Sequence, residues 1–337
     1  MRMVKIDNKG NKDKRGTAMG YDAIVHIDKR KYTEKTIEDL FLMLGYEKRQ
    51  GWFYFGKQEE YKYVAGVQAW KDGVDENKHE INYWIRVQSF CSSYDLKKAN
   101  ETISALKKYC FATFESDEGK NRYFQIGPLI KGAENGCYIA ISRLDNNFSL
   151  LLYSLKKYPE DLEQEKIMNE FGCPTPNSFN ANVYLSYLCA LMEEYFRSTY
   201  VALLKYSDKK EKILNYKFSP YDLIEVSKGK ITIEEVYARS LSFQNIQKIV
   251  YNYKNLNGKL DISTPLKQPY HGRKKSLYEQ INEIFERRHR MVHRVNIDDN
   301  YKTEQLEKDI CDIKVAFKRV YQYLCNQYGW EIQDIII

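Results

Sequence analysis

SLYEQINEIFERRHRMVHR, residues 276–294, is the stretch from which the second half of the chain is read. Ser276 followed by Glu279 is an S-x-x-E capping box, which satisfies two orphan N–H groups at the start of a helix. At about 100° per residue, Leu277, Ile281, Ile284, Phe285, Met291, Val292 and Val295 then fall on one face. Arg288 falls near the middle of that apolar face. A guanidinium cannot give up its proton, and desolvating it without a partner costs several kcal/mol. A position chosen for stability alone would seldom be Arg. His289 and His293 flank the stripe, while Arg287, Arg290 and Arg294 are expected on the opposite, exposed side.

Working outward, the same 3.6-residue period runs through most of the chain beyond residue 180. Ala181–Tyr206 carries apolar residues at 184, 188, 191, 195, 202 and 203 and predicts a long, largely buried helix. Thr232–Asn255 predicts a second, opened by Thr232 with Glu235 as a capping box. Residues 276–295 are the third, and about 304–328, with Leu306, Ile310, Ile313, Phe317, Val320 and Leu324 in phase, the fourth. Four helices with short-to-moderate connections predict an all-α up-and-down bundle over 180–337.

The first half mixes periods. Thr33–Tyr46 reads as an amphipathic helix closed by Gly45, and about Asp95–Tyr109 as another. Strand-like runs rich in Tyr, Trp, Val and Ile are Trp52–Phe55, Tyr63–Trp70, Ile81–Val87, Tyr123–Ile126, Tyr138–Ile141 and Leu150–Tyr153. Few of them are separated by helices, so 20–155 is expected to be an antiparallel α+β domain. Residues 1–19 are expected as a basic flexible tail, and 156–179, with Pro174 and Pro176, as a linker. The first half displays no phosphate-binding loop, paired carboxylates or metal-ligand cluster, and His26 and His79 stand alone in it.

Composition sets the outer limits. The chain has 337 residues, 29 of them Tyr, a composition far from that of disordered chains. Its net charge of +7 permits a polyanionic partner without identifying one. No apolar run approaches the roughly 18–20 residues that cross a bilayer, and the opening MRMVKIDNKGNKDKRG lacks the apolar core of a secretory signal. Seven cysteines without a C-x-x-C pair suit reduced thiols. A cytoplasmic location without membrane attachment is the expectation.

The segment Glu286-Arg287-Arg288-His289-Arg290-Met291-Val292-His293 resembles the R-x(4–6)-H motif of the HEPN superfamily. The context agrees: a long helix containing L-M-E-E-Y-F-R, a second with S-F-Q-N-I, the motif late in the third, and a closing helix. This is similar to the RiboL-PSP-HEPN-like branch over about 180–330, roughly half the chain. The resemblance implies a metal-independent endoribonuclease acting as a homodimer through the helical domain, with no cofactor. The family's Arg maps to Arg288, or to Arg287 at a spacing one residue longer, its His to His293, and its intervening polar residue to His289. Members with a Tyr two residues after the His are silenced by modifying that Tyr; here the position is Val295. The family also implies a role in phage defence or toxin-like growth arrest.

The residues suit that chemistry. Cleaving RNA without a metal needs a proton acceptor for the 2′-hydroxyl, a donor for the leaving 5′-oxygen, and a cation for the charged transition state, and it leaves 2′,3′-cyclic phosphate ends. Imidazole takes either proton role near neutrality, and guanidinium offers fixed bidentate donors to phosphate oxygens. Arg288 and His293 lie about 140° apart on an ideal helix, which favours a site shared between two subunits. Arg287, Arg290, Arg294, Arg273, Lys274 and Lys275 are candidates to hold the RNA backbone without reading sequence. Three alternatives stay open. Glu286, His289 and His293 have one-sided spacing for a metal but lack H-E-x-x-H and a further strong ligand. The helices also suit a catalytically silent HEPN module for dimerisation or nucleotide binding. The first domain suits an adaptor, or a sensor that takes a regulatory protein or ligand.

Overall fold

The computed structural model describes residues 20–56, 62–89, 91–156, 167, 168, 170, 171, 173–208, 211, 215–270, 272, 274–294 and 297–333. The 1–19 stretch, Arg273, Val295 and the side chain of Arg294 lie outside the described residues, as does much of the 156–179 stretch. The chain divides into two compact units, Met1–Leu129 and Ile130–Ile337: an antiparallel sheet with helices, then a helical region.

In the first unit the strands are β1 (Gly20–Asp28), β2 (Glu47–Arg49), β3 (Trp52–Phe55), β4 (Val67–Asp75), β5 (Glu80–Gln88), β6 (Thr113–Ser116) and β7 (Gly119–Lys120). They form one sheet in the order β2-β3-β4-β5-β1-β6-β7, with every pairing antiparallel. Two helices, α1 (Glu34–Met43) and α2 (Ser93–Cys110), pack on one face. Side chains alternate across a strand, so Ala23, Val25 and Ile27 of β1, Ile81, Tyr83 and Ile85 of β5, and Phe53 and Phe55 of β3 meet Ile37, Phe41, Leu96 and Ile103 of the helices.

One carboxylate fixes the entry to α2. Asp95 at position N3 accepts from Ser92 N–H at 2.9 Å, completing a capping box. It also accepts from the N–H groups of Val64, Ala65 and Gly66 at 3.1, 3.0 and 3.0 Å, tying the approach to β4 to the helix start. Gly66 is suited to that approach: its φ is +71°, and a Cβ there would stand 2.4 Å from the carbonyl oxygen of Phe55.

The second unit holds α3 (Gly132–Lys156), α4 (Pro176–Lys205), α5 (Pro220–Ser227), α6 (Ile233–Arg239), α7 (Ile246–Leu256), α8 (Ser263–Lys267), α9 (Leu277–Arg294) and α10 (Thr303–Tyr328). The long helix α3 packs on α4 and α10, α4 packs on α9, and α9 packs on α10. Phe148, Tyr195, Phe196 and Phe317 form a ring cluster at the junction of α3, α4 and α10, with centroids 4.7–6.4 Å apart. Thr175 caps α4 by accepting from Ser178 N–H, with Pro176 at the first position where its missing N–H costs nothing.

Several expectations change. Tyr138–Ile141 and Leu150–Tyr153 are not strands but part of α3, because Cys137, Ile141, Leu144, Phe148, Leu151 and Leu155 repeat every three to four residues and all turn inward. A sustained helical period outweighs the β-preference of local Tyr and Ile clusters. The boundary expected within 156–179 therefore moves to 129/130, and α3 belongs to the helical unit rather than to a 20–155 domain. Tyr123–Ile126 forms no strand, whereas β1, fifth of the seven in the sheet, and β6 do. The single helix expected over 232–255 is two, α6 and α7. Asn245 starts the second by accepting from the N–H groups of Gln247 and Lys248. Among the described residues no helix is long and apolar enough to cross a membrane.

Candidate active site

Helix α9 is set in place by its cap and its apolar stripe. Ser276 Oγ accepts from Glu279 N–H, while the Glu279 carboxylate accepts from Ser276 N–H at 2.8 Å. That contact holds the Glu279 carboxyl below the ordinary range. Leu277, Ile281, Ile284 and Phe285 are buried. The stripe ends sooner than its period suggests: Val292 is 47% exposed and Met291 half-buried. Past Arg288 no described residue of α9 is buried.

Arg288 is where the buried stripe gives way. Its side chain is 23% exposed and turns toward Glu193 of α4, with Nη2 3.9 Å from Oε1. That distance is long for an ion pair, and among the described residues neither Arg288 Nε nor Glu193 Oε1 has a hydrogen-bond partner. Burial raises the Glu193 carboxyl above its ordinary range; Arg288, a hydrogen bond with Gln244, and Arg197 pull it down without prevailing. Cys189, one turn earlier on α4, is buried beside the pair and donates weakly to Ile284 O at 3.8 Å. Burial pushes its thiol well up, so it is held as an inert SH group.

His289 and His293 are both exposed and one turn apart, with ring centroids 4.4 Å apart and planes tilted by 50°. The structure thus brings together His289 with His293, and Arg288 with Glu193. Chemically this is a guanidinium in low dielectric, where its field is strong, five residues before an accessible imidazole.

Arg287 departs from the expected exposed side. It pairs with Asp298 at 2.5 Å and lies 4.3 Å from the Tyr301 ring centroid. Asn182 of α4 fixes Asp298 in turn, accepting from its N–H and donating to its carbonyl at 3.2 and 3.1 Å. Arg287 therefore anchors the loop after α9. Arg290 is exposed and lines, with Arg287, Asn182 and residues 297–300, a cavity of about 280 Å³.

Lys274 and Lys275 stand at the other end of α9, roughly 25 Å along the axis from His293. Lys275 pairs with Glu283 at 2.6 Å. Both line a cavity of about 450 Å³ with the carboxylates of Asp309 and Asp312, so their charge is answered locally and they are not gathered with the motif. Arg273 lies outside the described residues. Among those residues, no group of three or more His, Cys, Asp or Glu side chains stands where it could hold one metal ion, Glu286, His289 and His293 included.

Glu193 is the residue that sequence reasoning passed over. The signal was a carboxylate in phase with Cys189, Phe196 and Tyr200 on the buried face of α4. Compared with known proteins, the chain matches no family model, no curated protein and no solved structure.

Proposed function

We propose that the helical unit is a HEPN-type endoribonuclease that cleaves RNA without a metal, acting as a homodimer in which two copies of α9 flank one scissile phosphate. The observation that carries this reading is Arg288: a cation seated in an apolar stripe, loosely opposed by Glu193, with its Nε unpartnered. Burying a polar atom without a partner costs free energy, more so for a charged group. The accessible His293 follows at the motif spacing.

In the reaction, one imidazole takes the proton of the 2′-hydroxyl as O2′ bonds to phosphorus. The P–O5′ bond breaks, and a protonated imidazole from the second subunit returns a proton to the leaving oxygen. Arg288 answers the extra negative charge on the non-bridging oxygens, where a preorganised donor counts most. The products are a 2′,3′-cyclic phosphate and a 5′-hydroxyl. Exposed Arg290 is the cation this reading assigns to a backbone phosphate.

The test is RNA cleavage in EDTA. His293→Ala lowers the rate about 10²–10⁴-fold, the usual contribution of general acid–base catalysis. It leaves stability within about 0.5 kcal/mol because the residue is exposed. Activity that survives the substitution, or that requires added metal, overturns the proposal. A second reading has its own support: Arg288 is three-quarters buried against Glu193, which suits a structural pair in a silent HEPN dimerisation module. Under that reading purified dimer cuts no RNA pool, and His293→Ala changes nothing.

A further inference from the structure

The sequence contains four tryptophans, and three of them sit on one face of the sheet. Residues of neighbouring strands that pair in register share a face. Trp70 pairs with Trp84, Gln68 with Arg86 and Tyr54 with Gln68; on the far side, Ile24 pairs with Trp84 and Asp22 with Arg86. All are half-buried, and they alternate with the core residues that α1 and α2 cover. A face that only meets water is filled by Thr, Lys and Glu. This one carries half-buried indoles.

The rings are held, not merely tolerated. Trp84 Nε1 donates to Asp22 Oδ1 at 2.8 Å, and Arg86 clasps the same carboxylate through Nε and Nη2, both at 2.6 Å. Trp70 and Trp84 lie parallel within 5°, with centroids 5.9 Å apart, and the Arg86 guanidinium is 5.9 Å from each. At the neighbouring strand, the Arg49 guanidinium lies 4.2 Å from Tyr54 and 5.1 Å from Trp52. On β1, His26 Nδ1 meets Asn82 Oδ1 at 2.7 Å. Fixed rings lose little entropy when something stacks on them.

We infer that this face binds single-stranded RNA, stacking bases on Trp52, Tyr54, Trp70 and Trp84. Strands lie about 4.8 Å apart, so aromatic positions on β3, β4 and β5 span roughly 10 Å, room for the two or three splayed bases that sheet platforms take. Guanidinium, amide and carboxylate groups stand beside these rings, with Ile24 of β1 the aliphatic neighbour of Trp84. This mixture suits a base with a polar edge and a charged backbone, and suits poorly the dry core of a protein interface. Arg49 and Arg86 stand beside the rings, each already opposed by a carboxylate, Glu47 at 3.6 Å and Asp22 at 2.6 Å, so stacking on the rings rather than phosphate contact carries the affinity. The choice of RNA rests on the ribonuclease reading above; on that reading the sheet unit holds the strand that the helical unit cuts.

The experiment uses the full chain carrying His293→Ala, so that RNA stays intact, with fluorescein-labelled U12 and a 12-base-pair RNA duplex at low and moderate salt. Anisotropy is expected to show U12 binding with quenching of tryptophan emission, and duplex binding at least about tenfold weaker. Adding Trp70→Ala weakens U12 about tenfold or more, whereas Trp330→Phe in the helical unit leaves it unchanged. If Trp70→Ala does not fold, as judged by its melt, Trp52→Ala with Arg49→Ala at the sheet rim serves instead. Binding that ignores both variants, or that treats duplex and single strand alike, overturns the inference. So does a partner protein that is lost with Trp70→Ala while RNA binding persists. The two readings fail separately: U12 binding by a chain that never cleaves sinks only the nuclease, and cleavage with ring-independent binding sinks only the platform.

Discussion

Asp95 in the sheet unit and Glu193 in the helical unit are both carboxylates in the protein interior, and their surroundings differ sharply. Asp95 accepts from the N–H groups of Ser92, Val64, Ala65 and Gly66, all within 3.1 Å. Glu193 faces an arginine at 3.9 Å and has a hydrogen bond with Gln244, while its Oε1 has no hydrogen-bond partner among the described residues. One carboxylate is saturated by backbone donors and serves the fold. The other is left electrically unfinished, beside a guanidinium equally unfinished. Buried polar groups cost free energy unless paired, so the second arrangement persists where something other than stability selects it. The contrast sets a carboxylate that four backbone donors hold against one held loosely by side chains.

The widest test of this contrast is Asp95→Ala, which orphans four backbone donors at once. It is expected to cost about 3–5 kcal/mol, read as a drop in the denaturant midpoint with loss of hydrogen-exchange protection in α2 and β4. A cost below about 1 kcal/mol would show that Asp95 is not the anchor it looks to be. Arg288→Met is expected to cost less, about 1–2 kcal/mol, because the pair is long and partly exposed. The double variant with Glu193→Met should recover most of that loss. A coupling energy near zero in the double-mutant cycle would break the pairing.

Glu193 also gives a pH signature. Burial raises its carboxyl above the unfolded value of about 4.3. A raised acid contributes stability that is present below that value and lost as pH climbs through the folded one. Glu193→Gln removes the titration, so its stability relative to wild type should rise between pH 4 and pH 7, measured by urea unfolding. The opposite slope would mean that attraction to Arg288 outweighs desolvation. The smallest effect is Lys275→Ala: its pair with Glu283 is exposed, and thermal unfolding should change by no more than about 0.5 kcal/mol.

Helix α9 was legible in advance because its cap and its period are local properties of consecutive residues. Arg288 was legible for the same reason, since its phase alone placed it among apolar neighbours. Glu193 was not: it lies 95 residues earlier, and only the packing of α4 on α9 brings the two together. Arg287 escaped because its partner Asp298 belongs to a loop whose path no period encodes. Helix α3 hides its longer repeat of Cys137, Ile141, Leu144 and Phe148 beneath short aromatic and β-branched clusters that favour strands locally. Strand β1 was missed because Ile24, on the outer face, interrupts the polar-apolar alternation of Ala23, Val25 and Ile27.

The hub at Asp95 has a consequence for how the chain reaches this state. The N–H groups of residues 64–66 find their acceptor on a helix that begins about thirty residues later. The β4–β5 ladder closes on itself, but these three donors stay unanswered until the first turn of α2 is in place. The entropy of closing the intervening loop therefore falls on the Asp95 contacts.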